Sequence, residues 1–407
     1  MTTTDLNRVN IASRQHKTNP FPFYKRLRED QPVFPIVLPD RRTIWLVTRY
    51  EDVAHVLRDK KFAKDLSNAP NNQSATQPWI PRFAKPLTRH MLNSDPPDHA
   101  RLKALVTKAF LPSMVEKMHD RIHELSIKLL TKAKAGKPFD LIQDYALPIP
   151  TTVIAEMLGV PPHHGKKFNR WSNAVLEAVS TKWGMIRSVP KLWAFVRYIR
   201  QFVQSRQKDL RQDLASELVK AEIDGSQLSE DELVAMIFLL LFAGHETTVN
   251  LIGNGVHALL EHPDQLEQLR EDTKRIDSAV EEMLRYGSPV EMATERYALE
   301  DIEISGTTIP AGSLVGAVIA SANRDASQFT EPDKLDLLRS PNKHLAFGLG
   351  AHYCTGASLA RLEGKIAIKT LLEEIPHFKL AVPANKLRWR RGLVTRGLES
   401  LPILPGK

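Results

Sequence analysis

One cysteine in 407 residues is the scarcest feature of this chain. A single thiol cannot close an internal disulfide or supply the clusters that hold structural zinc and iron–sulfur centres. Both framework classes are excluded, and a reducing compartment is the expectation. Long apolar runs are also missing. The longest, Leu233 to Ala243, falls well short of the ~20 residues of a membrane span, and the opening MTTTDLNRVNIASRQHKTNPF has no apolar core of signal-peptide length. The expectation is therefore a cytoplasmic protein with no membrane partner. Aromatics make up 7% of residues, and Lys and Arg are dispersed without a basic block. That speaks against a nucleic-acid groove, although the net charge of +9 favours acidic partners. There is no internal repeat and no Gly/Ser linker. The remainder is ordinary globular composition, 42% hydrophobic and 25% charged.

The organisation is mainly α with a smaller β part, an α+β chain. Pro20 to Asp30 has a helical pattern, and Val33–Leu38 and Thr43–Thr48 flank Pro39-Asp40-Arg41-Arg42, which predicts a hairpin. The stretch from Leu66 to Pro86, rich in Asn, Ser, Pro and Gln, reads as an irregular binding loop. Apolar spacing of three and four predicts helices from about 97 to 284 and from 357 to 374, with β-rich runs over about 294–320 and 378–403. A β part built from both chain ends implies one domain over 1–407.

Ser229 and Glu232 form a capping-box pattern, so a helix starts there and has no strong breaker before Gly253. Leu233–Ala243 is apolar on every face, which requires a helix surrounded by protein. Directly after it come Gly244, His245, Glu246, Thr247 and Thr248. A carboxylate and hydroxyls continuing a buried helix are costly unless paired or hydrated, so this is either the point where the helix surfaces or a site for proton delivery. His245-Glu246 begins an HExxH zinc motif, but Val249 at the fifth position rejects it.

The cysteine lies in FGLGAHYCTGASLARLEG, with three glycines, Gly348, Gly350 and Gly356, around it. Such a loop brings backbone close to a ligand, and a helix N-terminus after Cys354 favours a thiolate. A dinucleotide fingerprint would need Gly at Tyr353. A large planar ligand bound through sulfur fits better.

Phe347-Gly-x-Gly-x-His-x-Cys354-x-Gly356 resembles the haem-binding loop of cytochromes P450. Ala243-Gly244-His-Glu246-Thr247-Thr248 is similar to the family's oxygen-activating motif, and Glu282-x-x-Arg285 matches its ExxR motif. DPPDHARLK, SANRD and RGLESLP resemble soluble bacterial members acting on polyketides, macrolides and other secondary metabolites. The resemblance implies a triangular helical prism around a buried haem b, with Cys354 as the axial thiolate.

By the same resemblance Phe347, Gly348, Gly356, Ala243 and Gly244 flank the haem, and His99, Lys103, Arg296 and His352 hold its propionates. Lys103 stands where Arg is usual and loses the bidentate fork. Glu282 and Arg285 are structural, with Lys334 a possible third member. Glu246 and Thr247 are the acid–alcohol pair that delivers protons for oxygen cleavage. Substrate contacts fall to residues 66–90, the 170–200 region, Leu240, Ala243, Gly244, Val290, Met292, Leu393 and Val394, with Glu291 the one charge beside them. The implied activity is a monooxygenase that hydroxylates or epoxidises a hydrophobic polyketide, terpenoid, steroid or fatty-acid-like molecule. Its electrons would come from a separate ferredoxin or flavodoxin with an NAD(P)H-dependent reductase, docking on Arg101, Lys103, Lys108, Arg361 and Lys365 of a monomer. The rival readings are a peroxide-using or non-oxygenating haem-thiolate enzyme and a haem-binding sensor or carrier. The acid–alcohol pair favours the monooxygenase.

Overall fold

A computed structural model of the chain describes residues 9–70, 81–110, 112–133, 137–161, 171, 182–223 and 225–406. Parts of the expected 66–90 loop and 170–200 region lie outside these residues. In chain order the elements used below are α1 (Arg14–Thr18), α2 (Phe21–Asp30), β1 (Val33–Val37), β2 (Thr43–Val47), α3 (Tyr50–Arg58), β3 (Phe62–Ala63), α4 (Asp98–Ala109), β4 (Phe139–Asp140) and α5 (Lys182–Lys208). They continue with α6 (Glu230–Glu261), α7 (Ile276–Gly287), β5 (Arg296–Ala298), β6 (Leu314–Ala317), α8 (Ala357–Glu374), β7 (Phe378–Leu380) and β8 (Pro402–Pro405). The chain divides into two compact units.

The first unit, Met1–Thr76, His123–Leu147 and Thr247–Lys407, carries both larger sheets. One has the order β1-β2-β6-β5-β3, in which β6 runs parallel to β2 and the other pairs are antiparallel. The β1–β2 hairpin forms as its sequence predicts. Asp40 accepts the Arg42 backbone N–H at 3.1 Å, and Arg41 takes a left-handed φ of 71°. The other sheet, β7-β8-β4, joins the chain's end to Phe139–Asp140. Here the structure departs from the expected unbroken helical stretch. Asp140 caps the π-helical turn Leu141–Ala146 by accepting the Ile142 N–H at 2.9 Å, and it also accepts the Leu401 N–H at 2.9 Å. Its extended conformation depends on a partner strand 261 residues away, which local periodicity cannot reveal.

The second unit, Gln77–Ile122 and Pro148–Glu246, is built chiefly of helices around a core that includes Leu105, Val106, Phe195, Ile199 and Met236. Within it Arg206 donates to Asp213 at 2.7 Å and to the Gly159 carbonyl at 2.6 Å.

The helix α6 runs through residues of both units. The reciprocal cap forms as expected: the Glu232 N–H donates to Ser229 Oγ at 3.3 Å, and the Ser229 N–H donates to the Glu232 carboxylate at 2.8 Å. Leu233 to Ile237 are all buried. Burial of such side chains contributes about 1.5–3 kcal/mol each, enough to carry the polar residues that follow.

Candidate active site: the cysteine loop and the long helix

In the first unit Gly348 and Gly350 have φ of 70° and 69°, the left-handed region where a Cβ is strained. A Cβ on Gly350 would also lie 3.0 Å from the Leu57 carbonyl oxygen at the end of α3. These two turns let the Cys354 N–H donate back to the Phe347 carbonyl at 3.0 Å, three residues ahead of α8. Cys354 is exposed, whereas Phe347 and His352 are half-buried. Gly364, one turn along the same helix from Ala360, lets α8 and α6 pack closely, since a Cβ there would come within 2.8 Å of Leu251.

The loop's base is tied to the ExxR pair through one asparagine. Arg285 donates twice to Glu282, at 2.7 Å each, and also to the carbonyls of Asn323 at 2.8 Å and Pro332 at 2.7 Å. The Asn323 side-chain oxygen accepts the Leu345 N–H at 2.7 Å, two residues before Phe347. Both Glu282 and Arg285 are 0% exposed. The third member of this group is Arg339, whose Nε lies 3.2 Å from both Glu282 oxygens. Lys334 gives only its carbonyl to Arg285, and its exposed ammonium sits 3.7 Å from Glu331. A planar guanidinium, unlike an ammonium, reaches Glu282 and the carbonyls of Thr330, Glu331 and Lys334 at once.

On α6, His245, Glu246, Thr248, Asn250 and Asn254 are buried and Thr247 is half-buried, so the helix does not surface at this point. His245 donates from Nδ1 to the Leu241 carbonyl at 2.8 Å. Ala243 is exposed, Leu240 and Gly244 are half-buried, and a Cβ on Gly244 would face Ile154 at 3.4 Å. In α4, His99 is buried with Lys103 half-buried one turn on.

In the first unit Arg296 is buried at the start of β5. Val290 and Met292 come beside Leu393 and Val394: the N–H groups of Glu291 and Met292 both donate to the Val394 carbonyl, at 2.8 and 3.2 Å. Sequence reasoning did not single out Glu363 of α8. It is 1% exposed, with the Thr248 hydroxyl against its carboxyl. Burial pushes the carboxyl up to about 8, against the opposing influence of that hydroxyl.

Cations expected to form a docking face are engaged within their own units. Arg101 pairs with Glu232, Lys108 donates to the Glu222 carbonyl at 2.7 Å, Arg361 pairs with Glu281 at 2.6 Å and Lys365 with Asp277 at 2.6 Å. Arg101, Arg361 and Lys365 thus each have a carboxylate beside them.

Within the first unit the donor fits a haem: one exposed cysteine on a loop whose left-handed turns at Gly348 and Gly350 favour glycine. Comparison with known proteins decides the family, because the cytochrome P450 model matches residues 7–389. The chain belongs to the cytochrome P450 family. This P450 is 42% identical over 407 residues to the vitamin D(3) 25-hydroxylase of Pseudonocardia autotrophica, covering 100% of this chain and 98% of that one. It is 41% identical over 389 residues to the cytochrome P450 monooxygenase PikC of Streptomyces venezuelae, covering 95% and 91%. The structure of the bacillaene polyketide synthase cytochrome P450 PksS from Bacillus subtilis 168 superposes with a TM-score of 0.91 at 38% identity, covering 98% of this chain and 100% of that one. The α+β architecture is thus the P450 fold, the cofactor is haem b, and the protein is an oxidoreductase of the monooxygenase class that draws its electrons from outside.

Proposed function

We propose that this P450 hydroxylates or epoxidises a hydrophobic natural product of polyketide, terpenoid, steroid or fatty-acid-like size, with Cys354 as the sulfur ligand of the haem. The observation that carries this reading is the exposed Cys354 sulfur on the Gly348–Gly350 turn, held by its own N–H to the Phe347 carbonyl. Haem b bound through a thiolate supplies reductive activation of O2 and insertion of one oxygen atom into a C–H or C=C bond. Glu246, buried at 9% exposure, and the half-buried Thr247 beside it serve as the proton reservoir and the hydroxyl that holds a relay water. His99, Lys103, Arg296 and His352 balance the carboxylates of the porphyrin. Phe347, Gly348 and Gly356 of the cysteine loop would help hold the porphyrin, and Ala243 and Gly244 of α6 carry the same assignment.

Val290, Met292, Leu393 and Val394 form the substrate wall in the first unit, and Leu240, Ala243 and Gly244 are the substrate-contacting residues of α6. Their apolar character supports a substrate with few polar anchors, as do relatives named for vitamin D3 hydroxylation and polyketide biosynthesis. The electron donor is a ferredoxin or flavodoxin with its NAD(P)H-dependent reductase. Support comes from composition, since one cysteine cannot ligate an iron–sulfur cluster. The chain acts as a cytoplasmic monomer with 1–407 as one domain, a reading supported by sheets that join both chain ends.

Thr247→Ala tests the proton route. The variant keeps haem and substrate binding and diverts reducing equivalents to hydrogen peroxide, read as product formed per NAD(P)H consumed. Unchanged coupling removes Thr247 from the route.

A further inference from the structure

A cluster of buried charge in the first unit lies outside the cysteine loop and the ExxR core. Lys17 of α1 is 0% exposed, and its Nζ donates to Glu291 Oε2 at 2.8 Å. Tyr24 of α2 donates its hydroxyl to the other carboxylate oxygen at 2.5 Å. His16 packs edge-on against the Tyr24 ring, its Nε2 3.4 Å from the hydroxyl and 3.8 Å from Glu291. Burial holds His16 at about 4, so near neutral pH its ring is uncharged and Lys17 is the cation paired directly with Glu291. Arg396 closes the cluster from the far end of the chain. Its Nε donates to the Lys17 carbonyl at 3.0 Å, and its guanidinium lies 3.7 Å over Trp389.

Removing an ammonium and a carboxylate from water is costly, and apolar residues of similar volume often stabilise a fold better. Anchoring α1 would not by itself require a buried ion pair. What the pair does touch is the backbone that carries the proposed substrate wall. The Glu291 and Met292 N–H groups converge on the Val394 carbonyl, the Glu291 carbonyl accepts the Ala320 N–H at 2.9 Å, and the Arg396 N–H donates to the Pro289 carbonyl at 3.0 Å. Met292 and Tyr24 belong to one apolar cluster, against which Leu393 packs.

We propose that the Lys17–Glu291–Tyr24 tie is a specificity-setting positioning device: it fixes the register of residues 289–292 against 393–396 and thereby selects which hydrophobic substrate the wall accepts. The proposal rests on the assignment of Val290, Met292, Leu393 and Val394 to that wall. None of the three tie residues acts on substrate or haem.

The test compares holoenzymes of the wild type, Tyr24→Phe, Lys17→Met and the double variant Lys17→Met with Glu291→Gln. Hydrogen exchange is followed in peptides covering 287–294 and 390–397. Affinity is measured by spectral titration with myristic acid and with a macrolide, using imidazole as a small probe of the haem alone. Tyr24→Phe, the mildest change, guards against loss of folding. In Tyr24→Phe and Lys17→Met, exchange rises in those two peptides while α8 and the β1–β2 hairpin keep their protection. The ratio of affinities for the two large probes moves roughly five- to tenfold, on the order of 1 kcal/mol, and imidazole affinity stays unchanged. The double variant no longer leaves Glu291 charged without Lys17, and Arg396 keeps its bonds to the Lys17 and Gly287 carbonyls, so it regains stability over Lys17→Met without regaining the wild-type ratio.

Unchanged local exchange and an unchanged ratio in folded variants overturn the proposal. So does a double variant that restores both stability and ratio, because the pair then only anchors α1. A wild type that responds to neither large probe breaks the assignment of the wall instead, and the exchange measurement still decides whether the tie sets the register.

Discussion

Glu281 and Glu282 are neighbours on α7, yet they build two different regions of the first unit. Glu282 faces inward, is 0% exposed, and binds Arg285, Arg339, Asn342 and the Asp336 N–H. Glu281, about 100° round the helix, faces the cysteine loop. It accepts two bonds from Arg361 at 2.6 and 2.9 Å and one from His344 at 3.0 Å, while Arg361 stacks 4.4 Å over Phe347 and lies 3.5 Å from the Tyr353 hydroxyl. One carboxylate locks the frame beneath the loop. The other clamps the flanks of the loop itself, from His344 before the cysteine to Arg361 after it. The first is insulated from solvent, so its failure is a folding failure. The second is partly wet and can be loosened without unfolding the unit.

The largest expected effect tests the insulated side. Glu282→Gln leaves Arg285 buried with its charge uncompensated, a loss of about 3–5 kcal/mol; urea unfolding and the yield of folded protein measure it. If the variant unfolds like wild type, the core is not held by this pair.

A smaller effect of opposite sign comes from Glu363. Its carboxyl sits near 8 in the fold against an ordinary 4.5, so the unfolded chain gives up its proton first and stability is lost as pH rises from about 4.5 to about 8. Glu363→Gln should therefore gain melting temperature over wild type at pH 8 and gain little at pH 5. Equal shifts at both pH values would show that ionisation is not the cause.

The smallest effect belongs to the wet clamp. Burial alone would raise Glu281, but Arg361 and His344 reverse that and hold it at about 2. Its contribution is present above an ordinary 4.5 and is lost as pH falls from there towards 2. Glu281→Gln should speed hydrogen exchange at 345–354 and lower the melting temperature modestly at pH 7, a deficit that shrinks as pH falls from about 4.5 towards 2.

Much of this was legible in the sequence because its chemistry is local. Turn residues placed the β1–β2 hairpin, Ser229 and Glu232 capped α6, and the glycines around Cys354 defined the loop. The parts that were not legible depend on partners distant in sequence. Arg339 lies 57 residues from Glu282 and resembles any surface cation until the backbone returns it to α7. Phe139–Asp140 becomes a strand only by pairing with Pro402 and Ile403. Lys17 lies in a polar stretch that reads as solvated, and Glu363, inside ARLEGK, reads as an exposed helix face. The local partners of the cations expected to greet a redox partner were hidden for the same reason: periodicity shows that a side chain is charged, but not that Glu232 lies beside Arg101 or Glu281 beside Arg361.

The central claim is that Cys354 is the sulfur that holds the haem. Absorbance of the dithionite-reduced, carbon-monoxide-bound protein tests it most directly, in the wild type and in Cys354→Ser. The account predicts the long-wavelength Soret band of thiolate-ligated haem in the wild type and its disappearance in the variant. A wild type that binds no haem, or a variant with an unchanged spectrum, contradicts it.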